Sequence, residues 1–124
     1  MRDALLIGVG GFAGANVRYW VNIFAARHLS PSLPFGTLLV NVTGSLILGA
    51  FLAWTTERVL ADPGYRLVFA VGFCGAYTTF SSFAFETIRL IEQGHLSAAL
   101  ANFVLNNVLS LGATVGGVVL ARAI

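Results

Sequence analysis

Residues 72–86 read GFCGAYTTFSSFAFE, and this stretch decides the fold. It lies inside an otherwise lipid-compatible apolar segment. Where a plain spanning helix would carry Leu and Val, it carries glycines, aromatic rings and the hydroxyls of Thr78, Thr79, Ser81 and Ser82. Gly and β-branched Thr weaken a helix. In a bilayer a weakened helix survives only where other protein or a water-filled cavity satisfies the freed backbone groups. The stretch therefore predicts a helix broken near its middle, either at an ion or substrate site or at a seam of small packing residues.

The rest of the composition agrees with a membrane location. Of 124 residues, 57% are apolar and 10% charged, and the mean hydropathy is +0.85. Soluble domains carry about 25% charged residues, so an integral membrane protein is expected. Every basic residue is Arg and they are scattered singly, which excludes a nucleic-acid-binding patch. The single cysteine, Cys74, excludes an intrachain disulfide. No metal-ligand cluster, nucleophile elbow or phosphate loop is present, and His28 and His95 fall in loops. No enzyme is expected. The apolar beginning of the chain is expected to be a retained first span and not a signal peptide, because no small-residue cleavage site follows it.

A span needs about 20 apolar residues, and four segments qualify: 4–25, 35–56, 65–91 and 97–121. Turn and charge signals separate them, at Arg27–Pro31, from Glu57 and Arg58 to Gly64, and from Glu92 to His95. One four-helix domain over residues 1–124, with both termini on one side, is expected. Arg2, Arg58, Arg66 and Arg122 fall on the terminal side, Arg27 and Arg89 on the other. So small an imbalance gives weak orientation under the positive-inside rule, and permits either a single orientation or both. Four such helices hardly enclose a lined pathway alone, so an oligomer, most simply a dimer, is expected.

Spacing places the polar residues on faces. Gly10, Gly14, Arg18 and Asn22 recur every four residues in the first span, combining a close-packing motif with an intramembrane Arg. Arg18 either draws anions into a vestibule or snorkels to the headgroups. In the second span Thr37, Asn41 and the Gly44–Ser45 pair share a face. Mid-span, the Asn41 amide offers two donors, to an anion or to a neighbouring helix. In the fourth span Asn102, Asn106, Ser110 and Thr114 line up, either as one wall of a hydrophilic track or as a ladder of interhelical bonds. In the third, Phe80 and Phe83 face together beside Thr79, Ser81 and Ser82. Ring edges carry positive potential, so they can face a partly dehydrated anion without a fixed charge that would trap it. Glu86 and Arg89 are spaced to pair.

Taken together, GGFAGANVRYW in the first span, FGTLLVNVTGSLILG in the second and GFCGAYTTFSSFAFE in the third resemble the small bacterial fluoride channels of the Fluc (CrcB) family, over essentially the whole chain. The resemblance implies four-helix subunits in an antiparallel, dual-topology homodimer, with two fluoride pores and one central, structural sodium ion that is not transported. It implies that Asn41 is the pore asparagine, that Phe80 and Phe83 are the pore phenylalanines and that Ser110 belongs to the polar track of the fourth helix. Asn106, Thr79, Ser81 and Thr114 extend this candidate pore, and Arg18 and Glu86 are candidates for its vestibule. The backbone carbonyls of Gly75 and Thr78 match the sodium-binding positions. Two departures stand out: Ala76-Tyr77 where Gly and a smaller residue are common, and Asn102 and Asn106 where a Tyr and a Ser or His often appear.

The resemblance thus implies a passive fluoride channel of the bacterial inner membrane. Acting on fluoride in a lipid bilayer, it would lower the cytoplasmic concentration of an anion that enters as weakly acidic HF. A small proton-coupled drug antiporter would want a lone carboxylate inside the first span, and Asp3 and Glu86 do not supply it. A non-transporting assembly subunit would use the polar stripe only for packing.

Overall fold

A computed structural model describes residues 1–57 and 62–124, so Arg58 lies outside the described residues. All regular structure in the described part is helical. Helix α1 spans Arg2–His28 and α2 spans Phe35–Glu57. Helix α3 covers residues 63–77: a first turn at Pro63–Tyr65, a π-helical stretch at Arg66–Cys74 and a closing turn at Gly75–Tyr77. Helix α4 spans Phe80–Glu92 and α5 spans Leu96–Ala123. Residues 63–92, containing α3 and α4, have the length and composition of a single span, as do Phe35–Thr56 and Leu96–Ala123. The first expected span, 4–25, lies in α1, which is long enough but is not among these three candidates. Four glycines, Asn16, Arg18 and Asn22 dilute its hydropathy.

Local chemistry sets the ends of these elements. Asp62 caps α3 by accepting the Gly64 N–H at 2.7 Å, with Pro63 at the first helical position. Thr79 caps α4, its hydroxyl accepting the Ser82 N–H at 3.1 Å. At the other end of α4, Gly94 takes φ +78°, a left-handed conformation that glycine adopts without a Cβ clash. The Gly94 N–H reaches the Ile91 carbonyl at 2.9 Å and the His95 N–H reaches Leu90 at 2.8 Å. This pair of bonds ends α4 and turns the chain into α5.

Two helix pairs make most of the interior. Helix α1 lies on α3, where Gly10 and Gly14 admit the backbone of Val68 and Phe73 so closely that a Cβ at either would collide with it. Helix α2 lies on α5 in the same way, with Gly117 against the Leu46 carbonyl and Gly49 against the Thr114 backbone. In the sequence, Gly112-xxx-Gly116 has the spacing of a close-packing motif on the fourth span, now α5. Gly112 has open space around it and Gly116 touches only the Leu46 side chain, so the close approach is made by Gly117. Val40, Cys74 and Asn102 are fully buried, whereas Phe12, Trp20, Leu100, Leu111 and Val119 are exposed. So much exposed apolar surface suits lipid or a partner, not water.

Gly117→Val should wedge α5 away from α2 and cost about 3 kcal/mol of stability, as overpacking does. Gly112→Ala, in open space, should gain up to about 1 kcal/mol of helix propensity. Thermal unfolding in detergent checks the pair, and equal midpoints for the two variants would refute this packing.

Candidate functional site

Between α3 and α4 two residues leave helical geometry: Thr78 at φ −84°, ψ 160° and Thr79 at φ −154°, ψ 115°. Extended residues inside a helical span leave backbone groups without their usual partners. Asn41 of α2 meets those of Thr79. Its Nδ2 donates to the Thr79 carbonyl at 3.1 Å, and its Oδ1 accepts the Thr79 N–H at 2.8 Å. Nearby, the hydroxyls of Thr43 and Tyr77 lie 2.8 Å apart, a second tie between α2 and α3.

A cavity of about 280 Å³ opens beside this tie. Asn41, Thr79, Phe80, Phe83, Asn106 and Ser110 contribute to its walls, and among the described residues no charged side chain does. The Phe80 and Phe83 rings meet edge to face at 5.4 Å and 65°. Phe83 is 5% exposed and also packs against Phe103, whereas Phe80 is 76% exposed in the single chain. The Ser110 hydroxyl oxygen is buried without a hydrogen-bond partner. An unpaired buried hydroxyl is costly, and this one borders the cavity, where a polar guest could use it.

Other candidate residues lie elsewhere. Ser81 is exposed, with its hydroxyl 3.3 Å from that of Thr79, and it does not line the cavity. Thr114 is exposed and bonds back to the Ser110 carbonyl at 3.0 Å. Asn102 is 2% exposed and gives its amide to Thr87 at 2.9 Å. The expected pairing of Glu86 with Arg89 is not formed. The Glu86 carboxylate accepts from the Thr37 hydroxyl at 2.8 Å, and the Arg89 guanidinium lies 6.0 Å from the centre of the Phe85 ring. Glu86, Thr37 and Asn22 border a second cavity, of about 270 Å³, under the α1–α2 loop.

Arg18 is half-buried and makes a long contact, 3.4 Å, from Nη1 to the Thr78 carbonyl. In an unbroken helix the Gly75 and Thr78 carbonyls would accept the N–H groups of Thr79 and Ser82. Those donors go instead to Asn41 Oδ1 and Thr79 Oγ1. Both carbonyls are thereby released from their helical partners, and such oxygens suit a hard cation. Gly75 itself is helical, at φ −62°, ψ −36°, so the departure from helical geometry begins at Thr78.

Sequence reasoning missed Thr43, Tyr77 and Thr87. Thr43 and Thr87 each bond the carbonyl four residues back, Leu39 and Phe83. That habit is common to Thr in any membrane helix, so it gave no signal in the sequence.

Comparison with known proteins adds the family. Residues 5–118 match the family described as CrcB-like protein, Camphor Resistance (CrcB). The chain is 48% identical over 124 residues to the fluoride-specific ion channel FluC of Koribacter versatilis, covering 100% of this chain and 98% of the relative. It is 45% identical over 122 residues to the protein of that name from a Sulfurihydrogenibium species, covering 98% of each. The FluC of Clostridium perfringens is 38% identical over 119 residues, covering 96% of this chain and 93% of the relative.

Thr37→Val should leave the Glu86 carboxylate without its hydroxyl donor and destabilise the protein by about 2 kcal/mol. Adding Glu86→Met to that variant should recover most of the loss. Thermal midpoints in detergent give the comparison, and a Thr37→Val midpoint equal to that of the wild type would mean the bond contributes nothing.

Proposed function

The chain belongs to the CrcB-like family, and from that premise we propose that it is a fluoride-selective channel, passing the anion passively down its gradient. The observation that carries this reading is the cavity between α2, α4 and α5. Two phenylalanine rings and a serine hydroxyl that has no partner among the described residues border it, and among those residues no charged side chain does. Fluoride is small, strongly hydrated and a strong hydrogen-bond acceptor. The Ser110 O–H can replace part of its water, and ring edges offer weak positive potential for more of it. With no cation fixed in the wall, binding stays weak enough for the ion to leave. The relatives are named as ion channels, and the protein is not an enzyme. The antiporter reading lacks support, since the carboxylate of α1, Asp3, sits in its first turn.

The assembly belongs to the same proposal. We read α3 and α4 as two halves of one broken span, and the protein as an antiparallel homodimer with dual topology in the bacterial inner membrane. The exposure of Phe80 favours a second subunit that completes the pore wall. The carbonyls of Gly75 and Thr78 would hold a structural sodium ion, two copies supplying twice the oxygens of one. The proximity of Arg18 to the Thr78 carbonyl makes this site demanding: a sodium ion there requires the guanidinium to yield that oxygen.

In liposomes with a fluoride electrode, the purified protein should release fluoride and retain chloride. Phe83→Ile should lower fluoride efflux by at least about a hundredfold, because the ring edges are lost while volume is roughly kept. Ser110→Ala should also slow efflux, and because the lost hydroxyl has no partner it should leave the unfolding midpoint unchanged or raised. Chloride release matching fluoride release, or wild-type flux in Phe83→Ile, would refute the reading.

For the assembly, a tag at the N-terminus should be reached from both faces of the membrane at similar levels. Exchanging sodium for a large organic cation should dissociate or silence the dimer. Labelling from one face only would exclude dual topology, and full activity without sodium would exclude the ion's structural role.

A further inference from the structure

The polar contacts around Asn41 do not end at the cavity wall. Asn41 Nδ2 carries two N–H bonds, and both are taken, one by the Thr79 carbonyl and one by Asn106 Oδ1 at 3.0 Å. Asn106 Nδ2 in turn donates to Asn102, at 2.9 Å to Oδ1 and 3.1 Å to the backbone carbonyl. Asn102 Nδ2 donates to the Thr87 hydroxyl at 2.9 Å, and that hydroxyl donates to the Phe83 carbonyl at 2.8 Å. Six side-chain and backbone groups thus form one file from Thr79, at the start of α4, to Phe83, one turn into it. The file runs out through α2 and α5 and returns.

Its direction is fixed. The Thr79 N–H can only donate and its carbonyl can only accept, so the Asn41 amide has one permitted orientation. That orientation presents an N–H to Asn106, which must answer with its oxygen, and the same requirement passes to Asn102 and then to Thr87. Reversing any single amide would set donor against donor or acceptor against acceptor, in a region where Asn102 and Asn106 are 2% and 4% exposed and water cannot easily repair the mismatch.

We propose that Asn106, Asn102 and Thr87 are positioning residues for the ion pathway: a one-way hydrogen-bond relay that holds the Asn41 amide in register and, through it, keeps Thr79 extended at the head of α4. Asn102 and Thr87 do not line the cavity, so their influence on it passes through Asn106 and Asn41. In its pinned state Asn41 has no N–H to spare, which leaves Ser110 as the unengaged hydroxyl at the wall. The flux consequence rests on the channel reading above, and the effect on Thr79 does not.

The test uses Thr87→Val and Asn102→Leu in the full-length protein, with two readouts. Site-resolved amide hydrogen exchange, followed by NMR in detergent, reports the Thr79 N–H. Fluoride efflux from liposomes reports the pathway. Either variant removes two of the relay's hydrogen bonds and should speed Thr79 exchange at least about tenfold and slow efflux by a similar factor, while the Val40 amide, buried in α2, exchanges at the wild-type rate. Wild-type Thr79 exchange or wild-type efflux in a folded variant overturns the relay. Should Asn102→Leu fail to fold, Thr87→Val, which removes a single hydroxyl at nearly constant shape, decides the matter alone. If the wild-type protein itself passes no fluoride, the channel reading fails, and the exchange measurement still decides whether the relay exists.

Discussion

The double hydrogen bond between the Asn41 side chain and the backbone of Thr79 is the constraint on which the site depends. Leaving helical geometry in the middle of an apolar span exposes a peptide N–H and a carbonyl, and either one buried without a partner costs about 1–3 kcal/mol. A side-chain amide can meet both at once, because it carries a donor and an acceptor side by side as the peptide does. The position of Asn41 depends in turn on α2 lying tightly on α5, which Gly49 and Gly117 allow by admitting backbone where a Cβ would collide. Thr79, held from outside, is then free to use its own hydroxyl as the cap of α4. Close helix packing, an amide on the neighbouring helix and an extended residue are thus steps in one physical argument.

Much of this was legible in the sequence where a single element carried the signal. The glycines of α1 were spaced for close packing and do pack closely on α3, because a four-residue step keeps them on one side over a short distance. Asn41 was a costly mid-span amide that demanded a partner. The stretch 72–86 announced weak helix through its composition. What the sequence could not convey was rotation accumulated over distance. A four-residue step overshoots a helical turn by about 40°, so Asn102 and Thr114, three steps apart, diverge by about 120°. That is why Asn102 turns inward to Thr87, Asn106 and Ser110 border the cavity, and Thr114 faces outward and folds back on its own helix. Gly117 lies five residues past Gly112 and so about 140° around the helix from it, and it is Gly117 that meets α2.

Partner choice between helices was the other illegible part. Glu86 and Arg89 were well placed to pair along one helix, yet the Glu86 carboxylate takes the Thr37 hydroxyl of α2, a contact decided by how α4 leans on its neighbour. The Asn residues of α5 had two readings, a track or a ladder. Asn106 belongs to both, since it borders the cavity and also bonds to two other amides.

The two extended residues between α3 and α4 have an electrostatic consequence. A helix carries a fraction of positive charge at its N-terminus and of negative charge at its C-terminus, concentrated on the backbone groups that lack intrahelical partners. The extended Thr78 and Thr79 between α3 and α4 therefore set two opposite poles almost back to back. The C-terminal pole of α3 gathers carbonyls, those of Gly75 and Thr78 among them, while the N-terminal pole of α4 begins beside the cavity at Phe80. A short stretch of uncharged backbone thereby presents a cation-favouring side, where the Arg18 guanidinium already lies 3.4 Å from the Thr78 carbonyl, and an anion-favouring side at the head of α4.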